Sequence, residues 1–165
     1  MIDRHVGADP PRYMRLALAT AQASGEAGDL PIGAVAVIDG NVIATAGNRR
    51  ELDGDPTAHA EVLLLRAAAS HVGDWRLDKV TVVVTLEPCP MCAGALWASR
   101  VGGVVFGATD PKAGSNGSLY HLGADPRLNH EYETLGGVLA DECGALLTSY
   151  FAERRSRARD DPPRR

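Results

Sequence analysis

Two short clusters constrain this chain more than any other feature: His59-Ala60-Glu61 and Pro88-Cys89-Pro90-Met91-Cys92. They offer one imidazole, two thiols and a spare carboxylate. Used together, they require a fold that brings both segments to one point. Three protein ligands, an open coordination position and a nearby acid or base make up the arrangement of a catalytic zinc site.

Each cluster falls at the start of a predicted helix. His59 and Glu61 lie in the first turn of a helix over Ala58 to Ser70, with Thr57 as its cap. Cys89 and Cys92 lie in the first turn of another, from Pro90 to Ser99. Cysteines three apart share a helical face. A helix N-terminus favours thiolates through its unsatisfied N–H groups and partial positive charge. Two thiolates and a neutral imidazole leave a bound zinc nearly neutral, and zinc lowers the pKa of its water toward about 7. Glu61, two residues from His59, reaches that water without being a ligand. Its expected work is to take the water proton and pass it to a substrate ring nitrogen, then to the leaving amine.

Taken singly, these pieces are ordinary. His-x-Glu is common at helix starts, and Cys-x-x-Cys also serves redox chemistry or half of a structural zinc site. A closed structural site needs a fourth ligand. Cys143 reads as a small buried apolar residue of the last helix, and His71, His121 and His130 have simpler surface or loop readings. The order of the pieces, with Pro88 directly before Cys89, favours a hydrolytic site.

At 165 residues, 45 % hydrophobic and 23 % charged, the chain suits one globular domain with a sizeable core. No run approaches the roughly eighteen unbroken apolar residues of a membrane span. Met1-Ile2-Asp3-Arg4-His5 has no basic stretch leading into an apolar core, which argues against a secretory signal. Three cysteines, two of them in one Cys-x-x-Cys, make no disulfide framework and suit a reducing cytoplasm. A net charge of −4 counts against a large nucleic-acid footprint but not against a small one. The run Arg154-Arg155-Ser156-Arg157-Ala158-Arg159 is either a local RNA-contacting patch or a solvated helix end.

Asp9 caps a predicted helix with Pro10 and Pro11 in its first turn, carried by Tyr13, Leu16, Ala17 and Ala21 and ended by Gly25 and Gly28. Ile32–Ile38 and Asn41–Ala46 read as strands joined by an Asp39-Gly40 turn. Val80–Leu86 reads as a buried strand, and Val101–Phe106 as a fourth. Gly107–Asn129 is a long polar loop of the kind that is either functional or disordered. Tyr132–Leu139 is expected to hold a fifth strand, and Asp141 to cap a last helix through Leu146, Leu147, Tyr150 and Phe151. The alternation predicts helices packed on a mixed sheet. It forms one domain over residues 1–155, followed by a frayed basic tail at 156–165.

The order H-x-E…P-C-x-x-C is the known signature of zinc nucleobase deaminases, so this match is to an established pattern and not a derivation from spacing alone. Similarity continues through Leu30–Val35, Asn48-Arg49-Arg50, Asp55–Glu61, Val84–Leu96, Val104–Ala108, Lys112-Ala113-Gly114, Gly117-Ser118-Leu119, Leu128-Asn129-His130 and Gly137–Cys143. From about Tyr13 to Arg155 the chain resembles the bacterial tRNA-specific adenosine deaminases of the zinc cytidine deaminase-like superfamily. The resemblance implies a three-layer α/β/α sandwich with a five-stranded mixed sheet, and a homodimer. It implies one Zn2+ per subunit on His59, Cys89 and Cys92, with Glu61 as proton shuttle. The implied substrate is adenosine at the wobble position of a tRNA anticodon stem-loop, arginine tRNA being expected, converted to inosine. Asn48 would hold the flipped nucleotide, while Asp110, Lys112, Asn129, His130, Phe151 and Arg154 would line the RNA path.

A wobble base sits in a single-stranded loop, so drawing it into a pocket costs little. The plainer reading makes Asp110 and Asn129 turn formers and Phe151 core. The chain also departs from the pattern. Pro90 gives Pro-Cys-Pro-Met-Cys, a form that resembles the free guanine and cytosine deaminases of the same superfamily, and Thr109 and Pro111 flank Asp110 unexpectedly. A free-base deaminase is therefore the alternative substrate reading. A zinc-stabilised RNA-binding or redox protein without turnover is the alternative of another class.

Overall fold

The computed structural model describes Ile2 and residues 9–160, the last three by backbone alone. The first helix, α1 (Pro10–Glu26), starts as the sequence predicts. Asp9 accepts a hydrogen bond from the Arg12 N–H at 3.1 Å, and prolines occupy the first turn, where no N–H is needed. Its buried stripe is Tyr13, Met14, Ala17, Ala21 and Ser24. Strands β1 (Gly33–Ile38) and β2 (Asn41–Gly47) form an antiparallel hairpin. Both turn residues, Asp39 (φ 47°) and Gly40 (φ 79°), are left-handed, as a tight two-residue turn requires. Then follow α2 (Arg50–Asp53), α3 (Ala60–Val72), β3 (Thr81–Leu86), α4 (Pro90–Ala98), β4 (Gly103–Ala108), β5 (Glu133–Leu135) and α5 (Ala140–Asp160).

The strands make one mixed sheet in the order β2-β1-β3-β4-β5. β1 runs antiparallel to both β2 and β3, whereas β3, β4 and β5 are parallel. Strand residues alternate between two buried faces. Val35, Val37, Val83 and Val105 pack with Tyr13, Met14 and Ala17 of α1 and Cys143 of α5. Ala34, Ala36, Val82, Val84, Val104 and Phe106 pack with Ala60, Leu64 and Ala68 of α3 and Leu96 of α4. The result is the expected three-layer α/β/α sandwich with five strands. Gly33 lets α1 lie flush on β1, since a Cβ there would run into the α1 backbone at Ala17 and Ala21. Among the described residues no helix is long and apolar enough to cross a membrane.

Several boundaries differ from the sequence reading. Thr57 does not cap α3: its hydroxyl bonds Asp55 at 2.7 Å, and His59 takes the N-cap position instead. β4 begins two residues later than Val101, because Val101 N–H closes the end of α4 on Leu96 O and Gly102 N–H donates to Val80 O, just ahead of β3. β5 fills three residues of the 132–139 stretch expected to hold it, because the left-handed Gly137 (φ 87°) turns the chain out of the strand. Asp141 lies inside the first turn of α5 rather than capping it. The helix also runs to Asp160, past the expected domain limit at 155, while 161–165 lie outside the described residues.

Candidate active site

The sheet polarity brings both motif segments to one edge. β3 ends at Leu86 and leads through Pro88 into Cys89, which is the N-cap of α4. β1 begins at the same edge, pairing Ala34 with Val84, and Gly47 at the end of β2 lies opposite Gly33. The chain after β2 is tied to the α3 start where the Arg49 N–H donates to Ala58 O at 3.0 Å. His59, next in sequence to Ala58, thus faces the two cysteines. Its Nδ1 lies 3.7 Å from Cys89 Sγ and 3.5 Å from Cys92 Sγ. All three ligand atoms fall within 4.8 Å of one another.

This donor set fits zinc. Tetrahedral bonds of about 2.0–2.1 Å to nitrogen and about 2.3 Å to sulfur put N and S about 3.6 Å apart, close to the spacing seen. The hydrogen bond from Cys92, and less strongly that from His59, draws Cys89 down to about 4 against the effect of burial. Cys92 is pushed up, first by that same bond and then by burial. His59 is raised by its hydrogen bond with Cys89. Glu61, buried in the first turn of α3, interacts with Cys92, and burial raises its carboxyl above the ordinary glutamate value.

Two buried carboxylates that the sequence reading passed over shape the surroundings. Glu87 is 2 % exposed and accepts from the N–H groups of Asp110 (3.0 Å), Asn116 (3.0 Å) and Ser118 (2.9 Å), and from the Ser118 hydroxyl. Burial pushes its carboxyl up, but these bonds outweigh burial and hold it below the usual value. Ser115 N–H adds a bond to Pro88 O at 2.9 Å, and Gly114 has no room for a side chain against Glu87. The long polar loop is thus folded around the residue just before the cysteine motif. A glutamate at the end of a β-branched strand, where the chain should be buried, was the signal for it. Asp29 is the second such carboxylate and makes four hydrogen bonds, one of them with Asn48 at 2.7 Å.

The remaining predicted residues divide into two groups. Asp110 spends its carboxylate on the N–H groups of Lys112 and Ala113, as a turn former does. Arg100 binds both the backbone and side-chain oxygens of Asn129, and His130 Nε2 lies 3.0 Å from Val101 O. Lys112, by contrast, is exposed. Phe151 is 44 % exposed and stacks edge-on with Tyr150, so it is not core. Arg154 reaches the Tyr150 hydroxyl at 2.9 Å and lines a surface cleft with Gly25, Gly28 and Arg157.

Fold and site together define an enzyme of the cytidine deaminase-like class. The MafB19-like deaminase profile matches residues 8–154. A tRNA-specific adenosine deaminase of Bacillus subtilis (strain 168) is 50 % identical over 145 residues, which cover 88 % of this chain and 90 % of that one. A structure from work on A-to-I editing by tRNA:A34 deaminases at the wobble position superposes with a TM-score of 0.79 at 40 % identity, covering 82 % of this chain and 99 % of the other. The guanine deaminase from Nitrosomonas europaea gives 0.73 at 26 % identity, covering 87 % and 85 %. The chain belongs to the MafB19-like deaminase family and, within it, to the tRNA-specific adenosine deaminases.

Proposed function

We propose that this chain converts adenosine to inosine at the wobble position of a tRNA anticodon, with zinc held by His59 Nδ1 and the Cys89 and Cys92 thiolates. The observation that carries the reading is the convergence of these three donors beside buried Glu61, in a chain 50 % identical to a tRNA-specific adenosine deaminase. When bound, zinc supplies Lewis-acid activation of water at neutral pH. Glu61 takes one proton from the attacking water and gives it to adenine N1, then carries the second proton from the new C6 hydroxyl to the departing amine. A C–O bond replaces the C–N bond at C6, and ammonia leaves.

Asn48 holds the extruded nucleotide. Lys112, Phe151 and Arg154, all exposed, supply charge and a stacking face along the RNA path. Asp110, Asn129 and His130 act mainly by shaping that path, because Asp110 Oδ1, Asn129 Oδ1 and His130 Nε2 are engaged within the protein. The resemblance alone extends the reading to a homodimer acting on arginine tRNA in the cytoplasm.

A free-base deaminase is the second reading, favoured by Pro90 and the likeness to a guanine deaminase. The lower identity of that likeness, 26 % against 40 %, argues for the tRNA substrate. The zinc-loaded protein should form inosine in an anticodon hairpin carrying A at the wobble position and release no ammonia from guanine or cytosine. Ammonia from a free base, with no inosine in the hairpin, would overturn the proposal.

A further inference from the structure

Asp29 is fully buried yet lies outside the zinc cluster. Its Oδ1 accepts from Asn48 Nδ2 and Leu30 N–H, both at 2.7 Å, and its Oδ2 from the N–H groups of Glu51 (2.8 Å) and Leu52 (3.0 Å) in α2. Asn48 is 1 % exposed, and its backbone is fixed too. Its N–H donates to Ile32 O at 2.9 Å, and its carbonyl accepts from the Ser24 hydroxyl at 3.0 Å. Among the described residues, Asn48 Oδ1 accepts no hydrogen bond. It is not one of the buried polar atoms sealed off without a partner, which are Thr81 Oγ1, Trp97 Nε1 and Asn116 Oδ1.

An asparagine amide has a donor end and an acceptor end of nearly equal size, so sterics alone do not choose between its two orientations. A carboxylate accepts only. With Asp29 beside it, a flipped Asn48 would set oxygen against oxygen in a buried place, where such a contact is costly. The unflipped amide leaves Oδ1 open to a donor.

We propose that Asp29 is a positioning residue for the reaction: it fixes the Asn48 amide so that Oδ1 meets an N–H or O–H donor of the bound nucleotide, and it anchors α2 beside that contact. The inference rests on the reading that Asn48 touches the nucleotide. Misplacing a positioned group by about 1 Å can cost about 10²-fold in rate.

The test compares the unaltered protein with N48A, D29N and the double variant on the anticodon hairpin, recording kcat, KM, zinc content and Tm. N48A and D29N should each lower kcat/KM by about 10²-fold with the same split between kcat and KM and with zinc retained. The double variant should fall within about threefold of N48A, because Asp29 works through Asn48. Equal losses from D29N in both backgrounds would overturn the proposal, as would zinc loss in D29N. A fully active N48A would instead defeat the reading of Asn48, and the inference with it. Should D29N fail to fold, hydrogen exchange in the unaltered protein decides. The Asn48 side-chain amide, assigned by its disappearance in N48A, should exchange slowly, and rapid exchange would sink the idea.

Discussion

Glu61 and Cys89 belong to one cluster but should fail differently. Under the proposed function Glu61→Ala removes the proton carrier and no ligand, so zinc content should hold while inosine formation falls by at least roughly 10²–10⁴-fold. Metal analysis beside a single-turnover assay reads both. Cys89→Ala takes one of the three proposed ligands, and should lose metal and thermal stability together, seen as lower zinc content and Tm. Asp29 makes a prediction about acid. Burial raises its carboxyl, but bonds from Leu52, Asn48, Leu30 and Glu51 outweigh that and leave it below the ordinary 3.8. A depressed folded-state value means its stabilisation is fully present above the unfolded-state pKa and is lost as pH falls through the lower folded-state one. Denaturation midpoints should therefore drop more below pH 4 in the unaltered protein than in D29N. At this scale the candidate ligands were legible because each falls in a short motif, His59-Ala60-Glu61 or Cys89-Pro90-Met91-Cys92, and their side chains carry the chemistry. Asp29 and Glu87 were not, because most of their partners are backbone N–H groups, and an N–H leaves no mark in the sequence.

Whole elements were read well where periodicity and breakers agreed. α1 begins behind Asp9, and the hairpin turns on Asp39 and Gly40, as their residue types demand. β5 lies within its expected stretch but is short, because Gly136 and Gly137 stop a run that otherwise looks strand-like. The loop after β4 was recognised as long but not as ordered, since its organiser, Glu87, lies upstream of it. Glu87→Ala would leave three N–H donors of that loop without their acceptor, at about 1–3 kcal/mol for each group that stays buried. Hydrogen exchange should show Asp110, Asn116 and Ser118 losing protection, while the β1–β3 amides keep theirs. Uniform loss across the sheet would contradict a local clamp.

The molecule as a whole is asymmetric from one end of its sheet to the other. Every motif segment gathers where β3 ends and β1 begins, whereas the Asp39–Gly40 turn lies beyond the Val37–Thr81 pair at the far end. This polarity could not be read from the sequence, which predicts a mixed sheet but not that β1 runs antiparallel to β3. Lengthening the turn with a flexible insert of ~10 residues should cost little, since loop-closure entropy grows only slowly with length. The bond from the Tyr13 hydroxyl to Gly40 O (2.8 Å) is the contact most at risk, at about 1 kcal/mol. Tm should fall slightly, with kcat/KM on the hairpin held within about twofold. A large loss of activity at unchanged Tm would show that the far end communicates with the site. The protein thus has a working rim and an idle one. A tether, an affinity handle or a second enzyme hung from the idle rim would travel with the deaminase without crowding the RNA it edits.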